Sequence, residues 1–351
     1  MTSTADFDVL VVGGGPAGMA SAIRAAQRGL EVALLEPKSS PIDKACGEGL
    51  MPSALERLAE LGIDPDSLPG HTFRGICYRD AVDPSVSAEA DFPRGVGRGV
   101  RRVALHRRLD ERLDELEVTR LPRRVSTVEQ DEGGVTAAGL RGRYLIAADG
   151  LHSTVRDQLG LTANKRRRAR YGIRRHFSVE PWTSRVEVHW ADEAEAYVTP
   201  VGPDLVGVAM LFHGQGRFDT LMESFPRLQE RLGDAEPVSR ARGSGPFAQL
   251  SRRRVEGRVL LVGDAAGYVD PLTGEGVAMA VDTSAAAVDA ICDGAPARYE
   301  TDWWRLTRRY FWLTEALYRL TRARSIHRPM IKLLDVAPPV FRGALGLIAG
   351  R

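Results

Sequence analysis

Apolar positions along the chain fall into two textures. Phe7-Asp8-Val9-Leu10-Val11-Val12 and Glu31-Val32-Ala33-Leu34-Leu35-Glu36 are short apolar runs of β-branched character, as in strands buried on both faces. Between them, residues 17–28 are alanine-rich with Met19, Ile23 and Ala26 at helical spacing, and Gly29 ends that helix. This is a βαβ start. Tyr144-Leu145-Ile146-Ala147-Ala148 and Val259-Leu260-Leu261-Val262 repeat the buried-strand texture, the second ahead of an alanine-rich helix from about residue 274 to 292. Further helices are predicted over residues 52–62, through Leu55, Leu58 and Leu61, and 104–116, through Leu105, Leu109, Leu113 and Leu116.

The second texture is alternation. Arg185-Val186-Glu187-Val188-His189-Trp190 and Leu205-Val206-Gly207-Val208-Ala209-Met210 predict an antiparallel sheet between about residues 165 and 254. Residues 71–99, broken by Gly and Pro, read as strands and loops of that layer. The predicted fold is α/β: a Rossmann-type domain assembled from residues 1–70, 100–164 and 255–295. Residues 71–99 and 165–254 form an inserted antiparallel β-sheet substrate domain, and 296–351 a C-terminal helical segment.

Gly13-x-Gly15-x-x-Gly18 falls between the first strand and helix, and Glu36 ends the next strand eighteen residues past Gly18. The first glycine permits a tight turn, the second a close approach to a pyrophosphate, and the third close packing of helix on sheet. Pro16 and Ala17 open the helix, whose N-terminal N–H groups face the phosphates, and Glu36 is placed for the ribose hydroxyls. The motif alone leaves NAD and FAD both open.

Two distant stretches bear on that choice. Ala148-Asp149-Gly150-Leu151-His152-Ser153-Thr154-Val155-Arg156 resembles the Asp-Gly motif of single-component flavoprotein hydroxylases, the para-hydroxybenzoate hydroxylase-like group. Gly257-Arg258-Val259-Leu260-Leu261-Val262-Gly263-Asp264-Ala265-Ala266-Gly267 is similar to the Gly-Asp motif of that superfamily. Pro271-Leu272-Thr273-Gly274-Glu275-Gly276-Val277 more closely resembles its geranylgeranyl reductase branch. The resemblance implies FAD as cofactor and NAD(P)H as transient electron donor. Asp264 would meet the ribityl hydroxyls, and the helix opened by Pro271 and Gly274 to Val277 would face the flavin N1 and O2. Asp149 and Gly150 would support both FAD and nicotinamide. Arg102 matches an arginine near the phosphates, with Arg101 as an equal neighbour. Lys44, Cys46, Gly49, Leu50 and Val125 complete the implied cofactor surroundings.

Lys44-Ala45-Cys46-Gly47-Glu48-Gly49-Leu50-Met51-Pro52 resembles the Cys-Gly-Gly region of geranylgeranyl reductases, with a glutamate after Cys46-Gly47. Cys46 as a tuned thiol and Glu48 as a proton donor or acceptor are the catalytic candidates, against both merely shaping a wall beside the ring. The chain lacks the Trp-x-Trp-x-Ile-Pro motif of flavin-dependent halogenases. Ala196-Tyr197-Val198-Thr199-Pro200 replaces the reductases' Trp-x-Phe-Pro-Lys pattern, and Tyr197 either faces the substrate pocket or, as the favoured reading, packs the strand.

Composition narrows the partners. In 351 residues, 48 basic side chains balance 46 acidic ones, so no global field favours nucleic acid. The cationic run from Lys165 to Arg170 reads as a solvated crossover. Three scattered cysteines predict neither disulfides nor zinc and suit a reducing, cytoplasmic setting, with no signal peptide visible. The histidines show no metal-ligand spacing. A helix over about residues 302–324 sets Leu306, Tyr310, Leu313, Leu317 and Leu320 on one face, with Arg305, Arg308 and Arg309 elsewhere. It packs on the core or lies peripherally on an anionic membrane. The apolar tail, 331–349, caps a substrate cavity or recruits a lipid-like substrate. The expected activity is an NAD(P)H-dependent monooxygenase hydroxylating an aromatic or polyketide-like, hydrophobic small molecule. The alternatives are a reductase of an isoprenoid double bond and a non-catalytic flavin-binding maturation partner.

Overall fold

A computed structural model describes residues 5–163, 170–321 and 324–349. Of the cationic run, Lys165 to Ala169 lie outside the described residues. The chain opens with β1 (Phe7–Val12), α1 (Pro16–Gln27), β2 (Val32–Leu35) and α2 (Pro52–Glu60), then β3 (Gly75–Asp80) and β4 (Ser87–Asp91). Next come α3 (Arg102–Glu115), β5 (Thr119–Leu121) and β6 (Leu140–Ala147). β7 (Arg170–Ser178), β8 (Val186–Trp190), β9 (Ala194–Gly202), β10 (Leu205–His213) and β11 (Arg242–Ser244) follow. The chain closes with β12 (Val255–Glu256), β13 (Val259–Leu261), α4 (Gly276–Cys292), α5 (Arg298–Thr321), α6 (Arg324–Val336) and α7 (Pro338–Ala349).

One sheet runs β12-β13-β6-β1-β2-β5, parallel from β13 to β5. Its central strand explains the continuous apolar run: Val9, Leu10 and Val11 are fully buried, with β2 on one side and β6 on the other. The alanines of α1 and α4 let the two helices approach closely, and Ser21 Oγ donates to Ser284 Oγ between them at 2.9 Å.

The other sheet has the order β11-β7-β10-β9-β8-β3-β4. It is mixed rather than wholly antiparallel, because β3 and β8 pair in parallel. More than a hundred residues separate those two strands, so no hairpin fixes their relative direction. Alternation sorts the sheet's two faces. Ala196, Val198, Val206, Val208 and Phe212 pack against Phe218, Phe225 and Leu228, whereas Tyr197, Thr199, Ala209 and Leu211 look toward a cavity between the sheets.

Of the last helices, α6 and α7 cover that second sheet, while α5 packs on α4 and sends Tyr299 and Trp303 into the core of the first sheet. α5 begins earlier than its leucines suggest, and its buried stripe is Trp303, Thr307, Tyr310 and Thr314, one step round from the expected Leu306, Leu313 and Leu317. The side chain of Leu320 lies outside the described residues. Polar tips of aromatic residues decide the rotation: the Tyr310 hydroxyl donates to the Asp270 carbonyl at 2.9 Å, and Arg254 lies 4.2 Å over the Trp303 ring. From α6 and α7, Ile331, Phe341 and Leu345 join Phe73, Tyr78 and Trp190 in one buried cluster. Arg328 grips the buried Asp80 through both carboxylate oxygens, at 2.6 and 2.8 Å. Among the described residues no helix is long and apolar enough to cross a membrane.

Phe341 stacks on Tyr78 with ring centroids 4.9 Å apart and is 1% exposed. Truncation by Phe341→Ala is expected to cost about 3 kcal/mol in urea unfolding, from lost burial and the cavity left behind.

Candidate active site

A cavity of about 730 Å³ runs from the glycine turn after β1 to the inner face of the second sheet. At one end the backbone itself is the structure. Gly13 has φ +104°, and a Cβ there would stand 2.5 Å from the Ala148 oxygen. A Cβ on Gly18 would lie 1.8 Å from the Gly13 oxygen, so Gly18 packs helix on turn instead of lining the cavity. Gly15, Pro16 and Ala17 line it, with open space around Gly15. Glu36, also in the lining, accepts from the Gly14 N–H at 2.8 Å and the Lys38 N–H at 2.9 Å, which fixes its carboxylate beside the turn.

Sequence reasoning missed His106, whose Nε2 lies 3.0 Å from the Gly14 carbonyl. Burial and then the Arg102 charge lower its pKa, so it stays neutral and donates through Nε2–H. Nothing in its spacing marked it.

The distant segments converge on the same cavity. Asp149 and Gly150 after β6, Gly263 and Asp264 after β13, and Pro271, Gly274, Gly276 and Val277 before or at the start of α4 all line it. α4 begins at Gly276; ahead of it Pro271–Thr273 form a 3₁₀ turn closed by Gly274 at φ +71°. Glu275 is the N-cap residue of α4 and is not among the lining side chains. Val125 is buried in the core of the first sheet, away from the lining. Of the two adjacent arginines, Arg102 lines the cavity and Arg101 does not. Lys44 reaches across to Asp264, Nζ to Oδ2 3.8 Å.

These residues fit FAD. Charged residues are part of the lining, with Glu36, Asp149 and Asp264 on the acidic side and Lys44 and Arg102 on the basic side. The turn at Gly13 to Ala17 offers backbone N–H groups at a helix N-terminus, suited to a pyrophosphate.

Between the two ends, the loop from Lys44 to Met51 forms the wall, including Gly49 and Leu50. Desolvation pushes the Cys46 thiol upward, and its Sγ accepts from the Glu48 N–H at 3.3 Å. A thiol raised this way is protonated at neutral pH. Glu48 is 4% exposed and holds φ +60°, an uncommon conformation for a side chain with a Cβ. Its Oε1 accepts from the Arg102 N–H at 2.8 Å, and its Oε2 lies 2.5 Å from His176 Nε2 on β7. Arg174 stands 3.6 Å from the same carboxylate and 2.5 Å from Asp43. With both oxygens hydrogen-bonded, Glu48 latches the start of α3 to the second sheet.

Beyond that wall the cavity is bounded by Phe73, Tyr78, Trp190, Met210, Phe247 and Leu317, with Thr199 among the polar lining. Tyr197, for which pocket-facing was the less favoured of two readings, lines this chamber, and its hydroxyl donates to Glu195 Oε2 at 2.9 Å. Behind it, Arg170 pairs with Glu195 at 2.8 Å and Asp270 at 2.9 Å, all three buried. Burial pushes the Asp270 carboxyl up to about 6, against the opposing pull of Arg170.

Comparison with known proteins identifies the group. A family model described as FAD binding domain matches residues 6–291. The chain belongs to this FAD-binding family. Among curated relatives of the flavoprotein, dialkyldecalin synthase of Streptomyces rugosporus is 28% identical over 78% of this chain, which spans only 62% of that relative. Menaquinone reductase of Mycolicibacterium smegmatis is 29% identical over 98% of this chain and 88% of the relative. Digeranylgeranylglycerophospholipid reductase 2 of Methanosphaera stadtmanae is 27% identical over 82% of this chain and 79% of its own length. In structure, a flavoprotein/dehydrogenase from Cytophaga hutchinsonii superposes with a TM-score of 0.86 at 17% identity, covering 98% of this chain and 92% of that one. That likeness is one of fold.

Two outcomes follow from the site. Gly13→Ala, which drives a methyl group into the Ala148 carbonyl, is expected to yield folded protein with little or no flavin absorbance after purification. Asp270 has a folded pKa of about 6 against an ordinary 3.8. A raised carboxyl stabilises the fold fully below its unfolded pKa and loses that contribution as pH rises through the folded one. Wild type is therefore expected to lose up to about 3 kcal/mol between pH 4 and 6 in denaturant titrations, and Asp270→Asn to flatten that slope.

Proposed function

We propose that this flavoprotein is an NAD(P)H-dependent monooxygenase acting on a large, mainly apolar small molecule held in the chamber beside the flavin. The supporting observation is the chamber itself: an aromatic-lined space that continues the cofactor cavity, with Leu317 of α5 on its wall and α6 and α7 packed behind Phe73, Tyr78 and Trp190. Bound FAD supplies the redox chemistry, passing electrons from the nicotinamide to dioxygen. The balance is substrate–H plus O2, NAD(P)H and H⁺, giving substrate–OH, water and NAD(P)⁺. The chain's part is to bind and orient. Glu36, Asp149, Arg102 and Asp264 would hold the cofactor, while Phe73, Trp190 and Met210 exclude water from the reacting face. Tyr197 and Thr199 on β9, where reductases carry another pattern, favour this reading over chain reduction.

A second reading, a reductase hydrogenating an isoprenoid or related double bond, is favoured by the match to menaquinone reductase along almost the whole chain. Oxygen uptake separates them. With NADPH and an accepted substrate, hydroxylation predicts one O2 consumed per product and ¹⁸O from ¹⁸O2 in that product. Undiminished turnover under strict anaerobiosis, with a product two hydrogens heavier, gives the case to the reductase.

A further inference from the structure

A helix on a globular surface ordinarily turns its apolar stripe to the core and a polar stripe to water. α6 and α7 meet only the first half of that rule. Ile331, Phe341 and Leu345 face the core, yet of the eleven large apolar side chains exposed among the described residues, five belong to these two helices. On α6 they are Ile326, Leu333 and Val336, set on one side by helical spacing; on α7 they are Val340 and Leu347. Leu333 is 59% exposed, Val336 78%, Val340 58% and Leu347 51%. Val336 and Val340 stand on either side of the junction between the helices, where Pro338 and Pro339 are exposed as well, so the two stripes meet there. An apolar strip of this kind on the outside of a folded chain marks a contact surface.

The margin of the strip is basic. Lys332 on α6 and Arg342 on α7 are exposed, and Asp335 is the single acid these two helices carry. Arg309 of α5 donates to the Leu347 carbonyl at 2.9 Å, which seats that arginine at the end of the α7 stripe. One turn on from Arg309, the ring of Trp312 is exposed too. Apolar side chains bordered by cations and a tryptophan match the layering of a bilayer surface, with acyl chains beneath anionic headgroups. The same charges disfavour a second copy of this chain. Across a two-fold axis Lys332 and Arg342 would oppose their own equivalents, with Asp335 alone to answer them.

We propose that the outer face of α6 and α7 docks on an anionic lipid bilayer. The strip from Ile326 to Leu347 enters the boundary between headgroups and acyl chains, and Lys332, Arg342 and Arg309 meet lipid phosphates. Leu306, Leu313 and Leu317 of α5 are only half-exposed and take no part. The inference holds for either reaction considered above, since it uses none of the groups that line the cavity.

The test is sedimentation of the FAD-loaded protein with two kinds of vesicle, phosphatidylcholine alone and phosphatidylcholine mixed with phosphatidylglycerol. Wild type is expected to bind the mixed vesicles at least about tenfold more tightly. Leu333→Asn combined with Val336→Asn should weaken that binding by more than about tenfold, with flavin content and melting temperature unchanged. Lys332→Ala combined with Arg342→Ala should weaken it by about twentyfold. Equal binding to both vesicles, or to neither, overturns the proposal. Wild-type binding by the Leu333 and Val336 double variant overturns the assignment to this face. A dimer seen by light scattering that the same variant abolishes, in a protein that ignores both vesicles, gives the face to a second copy and overturns it too. The wild-type comparison needs no variant, so a poorly folding one leaves the inference open to refutation.

Discussion

The carbonyl oxygen of Ala148 lies 2.5 Å from where a Cβ on Gly13 would stand, and the Gly13 oxygen 1.8 Å from a Cβ on Gly18. At these points three backbones pass with no room for a side chain. Because the turn is this tight, α1 starts directly over the end of β6, and the segment carrying Asp149 is brought against the glycine turn. Asp264 arrives by the same route, since β13 pairs with β6 in parallel. The binding groove is thus a product of main-chain proximity, and the side chains around it are placed by that proximity.

A second constraint joins the groove to the other sheet. Glu48 is the only side chain among the described residues that bonds both the Arg102 N–H and His176, and it does so from a left-handed backbone conformation. Removing such a buried carboxylate would leave the Arg174 and His176 side chains facing each other with less compensation. Glycine on either side of it, Gly47 and Gly49, lets the loop bend into the wall. The resemblance placed this loop beside the ring; its task is to set the relation between the two sheets.

How much was legible follows from the range of each signal. Gly13, Gly15, Gly18 and Glu36 could be read because a tight turn and a strand end are local events that leave local spacing. Asp264 and Asp149 could be read because they too follow buried strands. Glu48 was read as a loop candidate, but its bond to His176 could not be, since that partner is 128 residues away and nothing near either residue announces the other. Tyr197 could be read in part, as a residue for the pocket or the strand, while the paired Arg170 and Asp270 behind it come from two other segments. The face of α5 was misjudged because counting leucines ignores the hydroxyl of Tyr310 and the ring of Trp303, whose partners fixed the helix rotation. The parallel pairing of β3 with β8 is a property of distant chain segments and has no periodic trace.

The order of parts along the polypeptide has a consequence for its synthesis. Every strand of both sheets, and α4, are in place by Cys292, whereas Ile331, Phe341 and Leu345 belong to the final fifth of the chain. A nascent protein therefore finishes its nucleotide groove while the greasy hollow next door still lacks a roof, with Phe73, Tyr78 and Trp190 exposed to solvent until the last two helices emerge. That interval is when the molecule is most prone to self-association, and early capture of the yellow dinucleotide would steady the scaffold on which the roof then closes.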